Sequence, residues 1–126
     1  MPDVNLLAVL AAGVVTFFIG FAYYAVLMPE PEGGAPAAPP APWKLAAELA
    51  RGLILSAVIA GLAVQGGIDD LAGGLALGLA LWAGFPFVLW AGAMLHEDTP
   101  LAVAALHAGD WLVKLPAIAV LVSLWQ

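Results

Sequence analysis

Four long stretches of this 126-residue chain carry few or no charges, and they constrain its fold more than any other feature. The first stretch, residues 4–28, contains no charged side chain. A helix of that length is about 37 Å long, enough to cross a hydrocarbon core of roughly 30 Å. The residues before it are acidic rather than basic, and the stretch is too long for a signal peptide. We therefore interpret it as a membrane helix.

Three further apolar runs extend over residues 43–64, 71–95 and 101–125. Their connections are too short for a second domain. We therefore predict a single all-α membrane domain over residues 1–126, with four transmembrane helices in an up-and-down bundle. The one low-complexity segment, residues 29–42, contains six prolines. It is predicted to be an extended loop, either a passive connector or a docking strip for a partner.

The composition excludes several classes of protein. Hydrophobic residues make up 64% of the chain and charged residues 10%, whereas soluble domains are about 45–50% apolar and about 25% charged. Only three residues are Lys or Arg, too few to neutralise nucleic-acid phosphates. The chain has no cysteine, so disulfides, thiolate catalysis and iron–sulfur clusters are excluded. The expected partners are the lipid bilayer and other membrane protein subunits or further copies of this chain.

Ionisable residues in the last span are the most unusual feature. His107, Asp110 and Lys114 are spaced by three and four residues and so share one helix face. Such groups cost roughly 2.5–3.5 kcal/mol each at the centre of a membrane helix, so they should face the bundle and be paired. The second span enters from the same side and carries Arg51 to the depth of His107. We predict a cluster of Arg51, His107, Asp110 and Lys114 between the second and fourth helices, with Glu48 above it.

Three roles are open for this cluster. It could be an interhelical staple that fixes the helix register, or a relay for protons or a small solute. His107 could also be a pigment or haem ligand, although the single buried histidine disfavours two-histidine haem ligation. No cofactor and no metal is otherwise predicted. The chain has no glycine-rich phosphate loop, no paired-histidine metal motif and no serine nucleophile motif, so we do not expect an enzyme.

Small residues and prolines indicate how the helices pack. Membrane helices associate through close contact at small residues. The third span contains two pairs of small residues spaced by four, Gly74 with Gly78 and Ala80 with Gly84. Two prolines inside spans, Pro86 and Pro116, are predicted to kink their helices.

The orientation follows from two basic residues. Lys44 and Arg51 adjoin the proline-rich loop, so the positive-inside rule places the 29–43 loop in the cytoplasm. Tyr23 and Tyr24, at the end of the first span, are predicted to anchor at the membrane interface.

Three short stretches resemble a family of small bacterial four-helix membrane proteins designated domain of unknown function 1761. They are GFAYY at 20–24, LWAGF at 81–85 and LHAGDWL at 106–112. The resemblance covers nearly the whole chain and implies a location in the bacterial cell membrane, a four-helix fold and no known reaction. The chain departs from the family pattern at 29–42, which is acidic and rich in Pro and Ala where the family tends to be basic and aromatic.

Two functions are compatible with these features. The sequence favours a non-enzymatic accessory or scaffolding subunit that packs against other membrane proteins. The alternative is a small homo-oligomeric transporter or proton-linked channel that uses the His/Asp/Lys cluster. An exposed Gly/Ala face would favour the subunit, and a cavity reaching Asp110 from one side would favour transport.

Overall fold

The computed structural model describes residues 3–27 and 41–126, which form five α-helices and, within those ranges, no strand. The helices are α1 (Leu6–Leu27), α2 (Pro42–Gln65), α3 (Leu71–Gly84), α4 (Pro86–His96) and α5 (Leu101–Leu124). Four segments are long and apolar enough to cross a membrane, and α3 and α4 together form the third, Leu71–His96. The predicted all-α fold with four spans is confirmed. Residues 28–40, which include most of the predicted loop at 29–42, lie outside the described residues.

Local sequence signals set several helix ends, which lie within two residues of the predicted ones. The Asp70 carboxylate accepts a hydrogen bond from the Gly73 N–H at 2.8 Å and caps α3. Asn5 does the same for α1, where its side-chain oxygen accepts from the Leu7 N–H at 3.0 Å. After α2, Gly67 has a φ of 66°, in the left-handed region that glycine adopts without steric cost.

The third span is broken rather than only kinked. Phe85 leaves the helical conformation, with φ −121° and ψ −78°, and Pro86 begins α4 as its first residue. Proline lacks an N–H and its ring clashes with the carbonyl four residues earlier, so Pro86 divides the span into two helices. Pro116, the other predicted kink, lies inside α5, which runs without interruption from Leu101 to Leu124.

Helix α5 is the centre of the bundle and packs against each of the other four helices. Gly20 of α1 lies next to Lys114 of α5. One turn later in α1, Tyr24 contacts His107, which lies about two turns before Lys114 in α5. The two helices are therefore antiparallel, as an up-and-down bundle requires. The fully buried apolar core comes from α1, α2 and α5, and its members are Val9, Ala12, Ile59, Ala60, Ala63, Leu115, Ile118, Ala119 and Val122.

Only half of the predicted small-residue positions pack within the chain. A Cβ atom at Gly78 would lie 2.7 Å from the Pro116 nitrogen, and one at Gly74 would lie 2.9 Å from the Val120 Cα. These two glycines therefore let α3 approach α5 backbone to backbone. Ala80 is exposed, and a Cβ atom at Gly84 would have no neighbour within 4 Å in the described part of the chain. The predicted packing role of Ala80 and Gly84 stays a prediction, because the described residues leave Ala80 exposed and place no atom close to Gly84.

Candidate functional site

A buried ion pair lies in the half of α5 that carries the polar residues. The Lys114 Nζ donates to Asp110 Oδ2 at 2.7 Å, and the two side chains are only 7% and 3% exposed. They lie four residues apart on one helix face, the spacing that brings opposite charges together. The neighbouring helix leaves room for the pair, because a Cβ atom at Gly20 would lie 2.8 Å from Lys114 Nζ. Lys114 Nζ also lies 4.8 Å from the centre of the Trp111 ring, within the range of a cation–π contact.

The Asp110 carboxylate is only half satisfied. Its second oxygen, Oδ1, is buried and has no hydrogen-bond partner among the described residues. An unpaired carboxylate oxygen is costly in a buried site, so a ligand or water with a hydrogen-bond donor would stabilise it.

His107 joins three helices at this site. Its Nδ1 lies 2.7 Å from the hydroxyl of Tyr24 on α1. Its ring stacks on Trp90 of α4, with ring centres 4.8 Å apart and an angle of 13° between the planes. The tautomer decides which partner donates in the Tyr24 hydrogen bond. With Nδ1 and one ring face occupied by protein, a pigment or haem iron at His107 would have to bind through Nε2.

Two more hydrogen bonds hold the α5 backbone around His107. The Tyr23 hydroxyl donates to the Leu106 carbonyl at 2.7 Å, and the Trp82 indole N–H donates to the Ala108 carbonyl at 2.8 Å. Gly109 allows the first of these, because a Cβ atom there would lie 2.5 Å from the Tyr23 oxygen. Tyr23 and Tyr24 therefore both hydrogen-bond to α5. They were predicted from the sequence as anchors at the membrane interface, and these hydrogen bonds were not predicted.

Four residues of the predicted five-residue cluster form two ion pairs, and His107 is the fifth. Arg51 pairs with Glu48, three residues earlier on α2, and these side chains are 61% and 51% exposed. The buried pair is Asp110 with Lys114. We predicted Arg51 within the α5 cluster. It lines the same cavity as that cluster, and its ion-pair partner is Glu48, because the i,i+3 spacing places that carboxylate within reach on the same helix.

An open cavity of about 450 Å³ brings both pairs together. We call it the polar cavity. It lies between α1, α2, α4 and α5, at the end of the bundle where α2 and α5 begin. All five residues of the predicted cluster line it, together with Phe17, Gly20, Phe21, Tyr24, Lys44, Leu45, Trp90 and Trp111. Its volume is within the range of small-molecule sites, about 300–1,000 Å³.

The aromatic residues of this site were not predicted. Tyr24 and Trp90 reach His107 from helices that are distant in sequence, so no spacing rule connects them to it. The sequence contains only an indirect indication of these contacts. Tyrosine and tryptophan side chains carry a polar group that needs a hydrogen-bond partner when it is buried, and such residues lie at the end of the first span and in the third.

Fold and site together define a multi-pass helical membrane protein with a polar cavity inside one half of its bundle. The chain belongs to the family described as protein of unknown function DUF1761, whose family model matches residues 7–123. The resemblance predicted from the three short stretches is thus confirmed. No curated protein and no solved structure matches the chain.

Proposed function

We propose that this protein is a small membrane transporter that binds its solute in the polar cavity, with solute movement linked to protonation of the His/Asp/Lys cluster. The observation that carries the proposal is the open cavity of about 450 Å³ that reaches the buried Asp110–Lys114 pair. Ionisable residues inside a membrane span are costly and typically mark a solute or proton pathway.

The chemistry of the cavity supports a proton-linked role. Histidine and carboxylate side chains are the usual members of proton relays in membrane transporters. Here the Tyr24 hydroxyl, the His107 imidazole and the Asp110 carboxylate all line one space. Asp110 also retains a buried oxygen without a partner among the described residues, and a hydrogen-bond donor that reached it during transport would stabilise it.

The opposite half of the bundle favours a carrier over an open pore. Immediately beyond Lys114, α5 buries Leu115, Ile118 and Ala119, which are 4%, 1% and 0% exposed. This tightly packed apolar layer leaves no polar path, among the described residues, from the polar cavity to the other end of the bundle. Passage therefore requires a movement, and α4 is the best candidate for it. The helix follows the break at Phe85, buries no residue and carries Trp90 against His107.

Reconstitution into liposomes tests the proposal. The purified chain is placed in vesicles with a trapped pH-sensitive dye, and a potassium diffusion potential drives protons inward. We propose that the carrier also cycles with a bound proton when no solute is present, so we expect proton influx above that of empty vesicles and its loss in His107→Gln. Ser123→Ala is the matched control, because Ser123 is buried in the apolar half. Influx equal to that of empty vesicles, or unchanged in His107→Gln, would contradict the proposal.

The positive-inside rule adds an orientation to this proposal. Lys44 and Arg51 both line the polar cavity, so its open end faces the cytoplasm of a bacterial cell in our assignment. The chain has no cysteine, so a single introduced cysteine reports its side without background. We expect Pro42→Cys to react with an impermeant thiol reagent only from the cytoplasmic side and Asp69→Cys, at an exposed residue of the α2–α3 connection, only from the opposite side. The reverse pattern would invert the orientation.

An accessory or scaffolding subunit is the second candidate, supported by one observation. Ala80 is exposed and Gly84 has open space in front of it, which leaves a small-residue face on α3 where a partner's helix could pack closely. Purification from native membranes in mild detergent tests this candidate. A stoichiometric larger complex that is lost in Gly84→Leu would support it, and a homo-oligomer without a partner would contradict it. An absorption band in the same material would identify a pigment or haem, with His107 as its first candidate ligand.

A further inference from the structure

A second cavity of about 450 Å³ adjoins the polar cavity and differs from it in chemistry. We call it the apolar groove. It lies between α2, the α3–α4 span and α5, and aliphatic side chains such as Leu55, Val58, Leu62 and Leu89 line it. Phe85 and Pro86, at the break between α3 and α4, also line it. Its single charged lining residue among those described is Arg51.

The two spaces share a boundary. Arg51, Trp90 and Trp111 line both the polar cavity and the apolar groove. Along α2 the polar cavity extends from Lys44 to Arg51 and the groove from Arg51 to Leu62. A helix rises about 27 Å from the first of these residues to the last, close to the roughly 30 Å of a hydrocarbon core. The combined space is therefore polar at one end, apolar over the remainder and aligned with the helices.

The charges at the polar end favour an anion. Lys44, Arg51 and Lys114 line this cavity against two carboxylates. Lys114 is neutralised by Asp110 and Arg51 by Glu48, whereas Lys44 has no ion pair among the described residues. Arg51 is 61% exposed, so its remaining donors are available at the boundary between the two spaces. Guanidinium groups bind phosphate with paired hydrogen bonds.

We propose that the ligand of this site is an anionic amphiphile, a membrane lipid whose phosphate headgroup lies in the polar cavity near Arg51 and Lys44 while an acyl chain fills the apolar groove. This inference rests on the proposed ligand site in the polar cavity and names the class of molecule that occupies it. A small hydrophilic solute would fill only the first space, and an uncharged hydrocarbon only the second. A phosphate-headed lipid matches both.

Native mass spectrometry of the full chain, released from an uncharged detergent, tests the assignment with three probes. Dodecyl phosphate carries head and chain, butyl phosphate carries the head with almost no chain, and dodecylphosphocholine carries the same chain with a zwitterionic head. We expect dodecyl phosphate to bind at least about tenfold more tightly than butyl phosphate, which lacks most of the apolar chain. We expect a similar advantage over dodecylphosphocholine, whose phosphate carries less negative charge and is offset by the choline cation.

Variants separate the two halves of the site. Arg51→Gln should lower dodecyl phosphate affinity about tenfold, and Arg51→Lys should restore part of it. Val58→Trp, which fills the groove, should remove the advantage of dodecyl over butyl phosphate. Val14→Trp is the matched control, since Val14 is an exposed valine of α1 that lines neither space. Melting temperatures of all variants show whether each one is folded.

The outcomes distinguish this inference from the proposed function. Equal binding of butyl and dodecyl phosphate, unaffected by Val58→Trp, would overturn the amphiphile while leaving a ligand in the polar cavity. No binding of any probe, with proton influx in liposomes intact, would likewise overturn the amphiphile alone. Absence of both binding and influx would overturn the two proposals together.

Discussion

The two halves of α5 solve the same packing problem with different chemistry. From His107 to Lys114 the helix is held by an ion pair and by hydrogen bonds from Tyr23, Tyr24 and Trp82. From Leu115 to Ser123 it is held by close apolar contact, with Gly74 and Gly78 of α3 against its backbone. Lipid gives no hydrophobic drive between helices, so membrane helices associate through close packing. The apolar half of α5 shows that such packing can hold a helix without buried charges. The polar half therefore carries groups that stability alone does not require.

Breaking the buried ion pair should have the largest effect on stability. In Asp110→Asn the Lys114 ammonium, whose side chain is 7% exposed, loses its carboxylate. Removal of one partner of a buried pair costs about 3–5 kcal/mol, because the other charge is left uncompensated. We expect a corresponding fall in the free energy of unfolding, measured by denaturant titration in mixed detergent micelles.

The double variant Asp110→Asn/Lys114→Met is the control for this experiment. It removes both charges, and replacement of a whole buried pair by uncharged groups is often nearly neutral. We expect it to recover most of the lost stability. If the single variant were as stable as the wild type, the pair would not be buried as described.

The apolar half should be most sensitive at Gly78. A Cβ atom there would lie 2.7 Å from the Pro116 nitrogen and 2.9 Å from the Leu115 carbonyl oxygen, so Gly78→Ala forces α3 away from α5. Overpacking of this kind costs about 1–3 kcal/mol. Gly84→Ala is the matched control, because nothing lies within 4 Å of its Cβ position in the described chain. It should be neutral or slightly stabilising in the same titration, since alanine is the better helix former. Equal effects of the two variants on the free energy of unfolding would mean that α3 and α5 do not approach each other closely at Gly78.

The hydrogen bonds from α1 to α5 should each have a smaller effect. Tyr23→Phe deletes a 2.7 Å hydrogen bond to the Leu106 carbonyl while keeping the ring. A typical hydrogen bond contributes about 0.5–1.5 kcal/mol, and we expect a loss in that range. Phe18→Leu, which changes an exposed aromatic residue of the same helix, should leave stability unchanged. A loss well above this range would mean that Tyr23 positions the whole polar half.

The sequence predicts the spans and part of the site for clear physical reasons. Apolar runs of about 20 residues with few or no charges have few alternatives to membrane helices, and the i,i+4 spacing of Asp110 and Lys114 favours their pairing on one helix. The spacing of residues along one helix does not predict contacts between different helices. Tyr24 and Trp90 were therefore missed as partners of His107. Arg51 pairs with Glu48 on its own helix, a contact that the predicted five-residue cluster did not single out. Pro86 predicted a kink, but the full break also depends on the conformation of Phe85.

The exposed pair on α2 should contribute least to stability. Glu48 and Arg51 line the open cavity at 51% and 61% exposure. Pairs that water can reach contribute about 0–1 kcal/mol. We therefore expect Glu48→Gln to change the free energy of unfolding by less than about 1 kcal/mol, far below the effect of Asp110→Asn. If the proposed anionic ligand is correct, the same variant strengthens dodecyl phosphate binding, because it removes a negative charge beside Arg51. A variant that is neutral for stability but active in binding would show that the exposed pair serves the ligand rather than the fold. A large loss of stability in Glu48→Gln would instead place both pairs in one structural network.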